Sequence, residues 1–251
     1  MSTAFSVCYW AVAGALSIAL FLGALFVWSV TAPFDPARSL LHRYTCWWAQ
    51  LYLRGLPGCR IEVEGREKIA PHTPYVLVAN HQSAADIMAL SALAVPFKWT
   101  SKKENFRIPF IGWNMYLNGY VKAEPGHPDR IRAAMARCKR WLELGVPVLW
   151  FPEGTRSFTG ELLPFRGGPF RLAAECRCAV VPIAVDRTLA VYLGWRVVPF
   201  PGRIVVRVLD PVTLAEAGGT ADGLRDLARG RISQALGALR GRRVEETGGG
   251  R

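Results

Sequence analysis

The stretch VLVANHQSAADIM, residues Val76 to Met88, sets a polar run (Asn80, His81, Gln82, Ser83, then Asp86) between two apolar segments. The preceding run, Tyr75–Ala79, reads as a strand, and Ala84–Ala94 reads as a helix. Ser83 followed three residues later by Asp86 fits a capping box, which makes Ser83 the expected N-cap. That accounts for Ser83 and Asp86 but gives His81 no role. Inside one helix, residues five apart point in different directions, because neighbours on one face lie three or four apart. With Ser83 as the cap, His81 instead lies in the loop and Asp86 in the first turn. The carboxylate then reaches back to an imidazole N–H, and the other ring nitrogen faces outward as a base, oriented as in a hydrolase triad. A polar loop with a local cap is the plainer reading. An isolated HxxxxD spacing does not separate the two.

Around this stretch the pattern alternates short strands with helices. Strands are expected at 60–63, 75–79, 146–151, 179–185 and 203–209, and helices at 84–94, 129–144, 169–175 and 222–239. Such alternation predicts an α/β fold, a mainly parallel β-sheet flanked by helices. Ligand sites in open sheets of this kind form outside the carboxyl ends of strands. Two polar segments follow strands in that way, NHQSAAD after YVLVA and PEGTRS (Pro152–Ser157) after VPVLWF. Loops placed alike on neighbouring strands converge on one pocket.

The bulk properties narrow the partner. The chain of 251 residues carries 31 Lys and Arg against 19 Asp and Glu, a formal net charge of +12. That excess calls for an anionic partner. The basic residues are scattered among Trp and Phe rather than gathered in a stripe, and no nucleic-acid motif is present, so a membrane surface and phosphate fit better than nucleic acid. The six cysteines (Cys8, Cys46, Cys59, Cys138, Cys176 and Cys178) form no CxxC pair, and free thiols in a reduced compartment are expected, with no metal site.

No charged side chain occurs before Asp35, and Val7–Val30 is long and apolar enough to span a hydrocarbon core, with Tyr9, Trp10 and Trp28 near its ends. A signal peptide would have a basic n-region and a shorter apolar core. The segment therefore reads as a retained transmembrane anchor. Arg38, Arg43, Arg54 and Arg60 follow it, so the positive-inside rule places the remainder on the cytoplasmic face of the cell (inner) membrane. Ser39–Leu56 reads either as a core helix or, from its Trp pair beside basic residues, as a helix in the membrane interface. The expected division is an anchor and interfacial helix over 1–58, a catalytic domain over 59–239 and a disordered tail over 240–251.

In the second loop, Gly154 allows close backbone approach, Thr155 offers a hydroxyl, and Arg156 suits two parallel bonds to a phosphate, with Glu153 expected to hold it. Alone, Arg156 would more often be a surface ion-pair residue. The segment SKKENFRIPFIGW adds Lys102 and Lys103. No GxSxG elbow or recognisable catalytic cysteine is present. A His–Asp pair without an enzyme nucleophile suggests that the substrate supplies one, an alcohol activated by His81 and attacking a thioester.

Four blocks in order carry a resemblance to the glycerolipid acyltransferase family, typified by 1-acylglycerol-3-phosphate acyltransferases. NHQSAAD resembles the NHxxxxD block, SKKENFRIPFIGWNMYLNGYVK the second block, and FPEGTRS the EGTR block residue for residue; LPFRGGPF and VVPIAV resemble the downstream segments. The resemblance covers roughly residues 75–185. It implies His81 as general base and Asp86 as its orienter. It further implies a substrate site including Asn80, Ser83, Lys102, Gly119, Lys122, Glu153, Gly154, Thr155, Arg156 and Arg166. The implied reaction is membrane-bound acyl transfer from acyl-CoA or acyl carrier protein, as co-substrate rather than cofactor, to a lysophospholipid in phospholipid biosynthesis. One departure stands out: Pro125 occupies the place where the family carries a phosphate-binding arginine, with Lys122 and Arg130 as candidates to compensate. An acceptor with another head group, such as lyso-ornithine lipid, stays open, as does a catalytically silent lipid-binding protein.

Overall fold

Val76, Leu77, Val78 and Ala79 are all fully buried in the computed structural model, and this requires cover on both faces of their strand. Successive strand residues point to opposite faces, so a strand apolar throughout must lie inside a sheet sandwiched by helices. The structure describes residues 3–124, 126–193, 196–197 and 202–248. Its strands are β1 (Cys59–Glu64), β2 (Tyr75–Ala79), β3 (Lys98–Lys102), β4 (Val121–Ala123), β5 (Val148–Trp150), β6 (Ala179–Asp186), β7 (Tyr192–Leu193), β8 (Arg196–Val197) and β9 (Gly202–Val208). Seven of them form one sheet in the order β1-β9-β6-β2-β5-β3-β4, with β7 and β8 in a separate hairpin. Neighbours are parallel except β6 and β9.

The helices are α1 (Thr3–Thr31), α2 (Ser39–Arg54), α3 (Ala85–Leu90), α4 (Ile111–Leu117), α5 (Pro128–Glu143), α6 (Gly168–Cys176) and α7 (Ala221–Gly248). Val76, Val78 and Val148 pack with Cys138 of α5, Phe170 of α6 and Ile232 of α7 on one face. Leu77, Ala79 and Leu149 pack with Leu53 of α2 and Leu90 of α3 on the other. This is the expected α/β architecture.

Several sequence expectations need correction. Strands β3 and β4 and helix α4 were not anticipated, because KWTSK reads as polar although Lys98 at its start is almost wholly buried. Helix α7 runs to Gly248, past the expected end at Leu239, so the tail expected to be disordered from 240 is helical through 248. Residues 249–251, like Pro125, lie outside the described residues. Ser83 is not the N-cap: α3 begins at Ala85, and Ala84 precedes it without a side-chain cap.

Helix α1 is long and apolar enough to cross a membrane by length and composition, yet it is tied to the domain along its length. Tyr9 donates to Tyr52 O at 2.9 Å, Tyr44 donates to Leu20 O at 3.0 Å, and Phe21 lies 5.5 Å from Trp113 of α4, centroid to centroid. Gly23 makes room for the Tyr44 hydroxyl, which a Cβ there would meet. Helix α2 behaves as a core helix, since Leu41, Cys46, Trp48 and Leu53 are buried, while Trp47 of the Trp pair stays exposed.

A buried basic cluster joins α2 to the sheet. His42 Nδ1 lies 2.9 Å from the Tyr120 hydroxyl, and Lys98 Nζ sits 4.8 Å from the Trp141 ring centroid. Burial, and then the neighbouring Lys98, push the His42 pKa down to about 3 from 6.5. Burial, and then Arg38, push Lys98 down to about 7. As pH falls below 6.5 the unfolded chain protonates His42 and the folded chain does not, so stability falls until pH reaches about 3. We expect urea-unfolding stability to drop by roughly 1.4 kcal/mol per pH unit from this residue. His42→Gln should flatten that part of the slope between pH 6 and 4; an unchanged slope would show that His42 is protonated in the fold.

Candidate active site

Strands β6, β2 and β5 are neighbours running in one direction, so the segments leaving their carboxyl ends meet. From β2 come Asn80 and His81. Asn80 is buried: its amide donates to Val185 O and its carbonyl accepts from Val185 N, both at 2.8 Å. It pins the β2 exit to β6, with both atoms of its amide on main-chain groups.

His81 follows, and its Nδ1 lies 2.6 Å from Asp86 Oδ2. An ionised carboxylate only accepts, so Nδ1 carries the proton and Nε2 is the free basic nitrogen. The same Oδ2 accepts from the main-chain N–H of Gln82 at 2.7 Å and of Ser83 at 2.9 Å. These bonds explain why the helix starts after Ser83: the carboxylate reaches back to the loop amides, and the Ser83 hydroxyl turns inward to accept from Ala85 N at 3.3 Å. The juxtaposition of His81 and Asp86 is as expected; Ser83, buried, is part of its frame. The imidazole keeps 22% of its side chain exposed while Asp86 has none. Phe151, at the exit of β5, stacks on the ring at 4.1 Å.

From β5 comes Glu153, which does not hold Arg156. Its Oε1 accepts from His81 N at 2.7 Å and its Oε2 from Leu163 N at 3.0 Å. Ser157 N closes the pair of loops by donating to His81 O at 2.8 Å. Glu153 is thus a clamp between the two loops, chosen by backbone donors that the sequence does not display. Burial raises its pKa, opposed by the two N–H bonds. Gly154 has φ 70°, and a Cβ there would lie 2.6 Å from Arg166 Nε. Glycine therefore supplies both the left-handed backbone and the space for Arg166.

Thr155, Arg156 and Arg166 are exposed on this loop system. Neither arginine has a carboxylate partner among the described residues, and the Arg156 guanidinium lies 5.7 Å from the Phe158 ring centroid. Lys102, at the carboxyl end of β3, is also exposed. Lys122 on β4 lies 5.1 Å from the Tyr116 ring centroid. Lys103 and Arg130 both pair with Glu124, which removes Arg130 as a free compensator for the missing arginine. Gly119 is not at the site. It precedes β4, at the far end from the loops, where a Cβ would lie 2.7 Å from Trp141 Cζ2.

Beyond Asp86, Ile87 and Met88 of α3 line an apolar cavity of about 130 Å³ that extends between α2 and α4 to Phe97 and Met115. Thr188, buried after β6, donates its hydroxyl to Asp86 Oδ1. No motif in the chain marks it. The described residues hold no group of metal-ligating side chains.

If Glu153 clamps the loops through two N–H bonds, Glu153→Gln turns one acceptor into a donor facing an N–H. An unsatisfied buried group costs about 1–3 kcal/mol. Both the melting temperature and turnover should fall, whereas a variant with wild-type stability would contradict the clamp.

Residues 60–186 match the family model described as Acyltransferase. The chain is 34% identical over 233 residues to a 1-acyl-sn-glycerol-3-phosphate acyltransferase of Chlamydomonas reinhardtii, covering 88% of this chain and 66% of that one. It is 36% identical to a chloroplastic 1-acyl-sn-glycerol-3-phosphate acyltransferase of Arabidopsis thaliana, over 81% of this chain and 56% of that one. It is 34% identical to the 1-acyl-sn-glycerol-3-phosphate acyltransferase of Saccharomyces cerevisiae, over 67% and 58%. The chain thus spans between 56% and 66% of the length of these relatives. Its fold resembles the crystal structure of the 1-acyl-sn-glycerophosphate acyltransferase PlsC from Thermotoga maritima, with a TM-score of 0.66 and 22% identity over 91% of this chain and 98% of that one. With the family model matching residues 60–186, half of the chain, the chain belongs to the acyltransferase family.

Proposed function

We propose that the protein is a membrane-bound O-acyltransferase that moves a fatty acyl group from acyl-CoA or acyl carrier protein to 1-acylglycerol 3-phosphate, giving phosphatidic acid. The observation that carries this reading is the His81–Asp86 pair, whose Nε2 has no hydrogen-bond partner among the described residues. The acceptor hydroxyl gives its proton to Nε2 as its oxygen attacks the thioester carbonyl. Asp86 stabilises the imidazolium that forms, and the departing thiolate takes the proton back. Arg156 and Arg166, exposed and without carboxylate partners among the described residues, suit the acceptor phosphate, with Lys102 and Lys122 as further cations. The apolar cavity beyond Ile87 and Met88 suits the acyl chain.

A second acceptor class has its own support. Arg130 is paired to Glu124, and Pro125 stands where the family carries arginine. Fewer cations at that edge favour a lysolipid without a phosphate monoester, such as lyso-ornithine lipid. A catalytically silent lipid-binding protein would not need the base geometry.

The test measures thioester consumption with a panel of lysolipids. His81→Ala should lower turnover by about 10²–10⁴-fold, the scale of positioned acid–base catalysis. Arg156→Lys should lower acceptor kcat/KM and leave donor KM unchanged, because an ammonium cannot form two parallel bonds. A lost charge-assisted bond costs roughly 1.5–3 kcal/mol, or about 10–150-fold. A fully active His81→Ala variant would refute the mechanism.

Attachment to the cytoplasmic face of the cell membrane is proposed through α1. Its outward stripe, including Val12, Leu22 and Phe26, is 60–68% exposed. Replacing these three by glutamate leaves the buried contacts with α2 untouched and should move the protein from the membrane to the soluble fraction. Retention in the membrane at moderate salt would show that another surface attaches it.

A further inference from the structure

Asp86 has a partner that comes from neither of the two loops. Its Oδ2 holds the His81 Nδ1 proton and the N–H groups of Gln82 and Ser83. Its Oδ1 faces away from these, toward Thr188, whose hydroxyl donates to it. Asp86 and Thr188 are both wholly buried. The terminal torsion of a carboxylate is broad, so contacts to one oxygen leave the plane of the group free to tilt. A donor on the other oxygen sets that plane, and with it the direction in which Oδ2 meets the imidazole.

The fold takes trouble to deliver this hydroxyl. Thr188 opens a single 3₁₀ turn, Thr188–Ala190, just past β6. Arg187 before it has φ 72°, a left-handed conformation unfavourable for a residue with a Cβ. Such strain persists where the surroundings over-determine the backbone, and it clusters at functional sites. Here Asn80 ties Val185 to the exit of β2, two residues upstream of Arg187, and Val191 N closes the turn onto Thr188 O at 3.1 Å. A buried threonine usually satisfies its hydroxyl on a nearby main-chain carbonyl. This one is directed at the anion that orients the base, and valine would fill the same space without the bond.

We propose that Thr188 is a positioning residue for the His81–Asp86 pair: its hydroxyl fixes the Asp86 carboxylate and through it the imidazole. The kinetic consequence rests on the acyl-transfer reading above; the geometric one does not.

Two comparisons isolate the hydroxyl. Thr188→Val keeps the shape without it. Thr188→Ser and Thr188→Ala both lose the methyl and differ in the hydroxyl alone. In the thioester assay, kcat should fall about 10- to 10²-fold in the Val and Ala variants, the scale of a small misplacement of a reacting group. Both KM values should stay within about two-fold, a negligible change in binding. The Ser variant should recover most of kcat. Independently of any substrate, the low-field proton resonance of His81 Nδ1–H, assigned by its loss in His81→Ala, should move upfield in Val and Ala and stay in place in Ser. Equal behaviour of Ala and Ser in both readouts would overturn the proposal, even should Val fail to fold. If the resonance moves as stated while no acyl transfer occurs in the wild type, Thr188 positions the pair and the acyl-transfer reading is the part that fails.

Discussion

A carboxylate with no exposed surface, Asp86, is the constraint around which the site is assembled. A buried anion is costly unless hydrogen-bonded on all sides. Four donors meet it: the His81 imidazole, the Gln82 and Ser83 amides, and the Thr188 hydroxyl. Satisfying one charge therefore fixes the loop after β2, the first turn of α3 and the turn after β6 together. The orientation of His81 is a consequence of that satisfaction.

Glu153 repeats the device one strand away. Its two oxygens take main-chain donors from the β2 loop and from Leu163, so the exit of β5 is locked against the exit of β2. Asn80 does the same between β2 and β6. Three polar side chains that sequence alone would assign to substrate or catalysis thus hold backbone. The His81 imidazole keeps some exposure, and the Arg156 and Arg166 side chains are left exposed.

The same separation appears at the N-terminus. Helix α1 has one face docked on α2 and α4 and the other exposed and apolar. The contacts from Tyr9, Tyr44 and Phe21 connect that apolar face mechanically to the helices that enclose the cavity beside the site.

The α/β class and the strands β1, β2, β5, β6 and β9 were legible in the sequence, because period and turn chemistry are local properties. So was the His81–Asp86 pairing, since a helix start between residues five apart is itself local. Strands β3 and β4 were not, because Lys98 is buried by tertiary packing against Trp141, which overrides its polarity. The partners of Glu153 and Asn80 were hidden as well, for they are main-chain groups that carry no residue identity. Thr188 lies 102 positions from Asp86 and becomes its partner only because β6 pairs with β2. Local spacing decides the His81–Asp86 pair, and the register of parallel strands decides which distant groups join it, since hydrogen-bond partners across a sheet are set by pairing and not by distance along the chain.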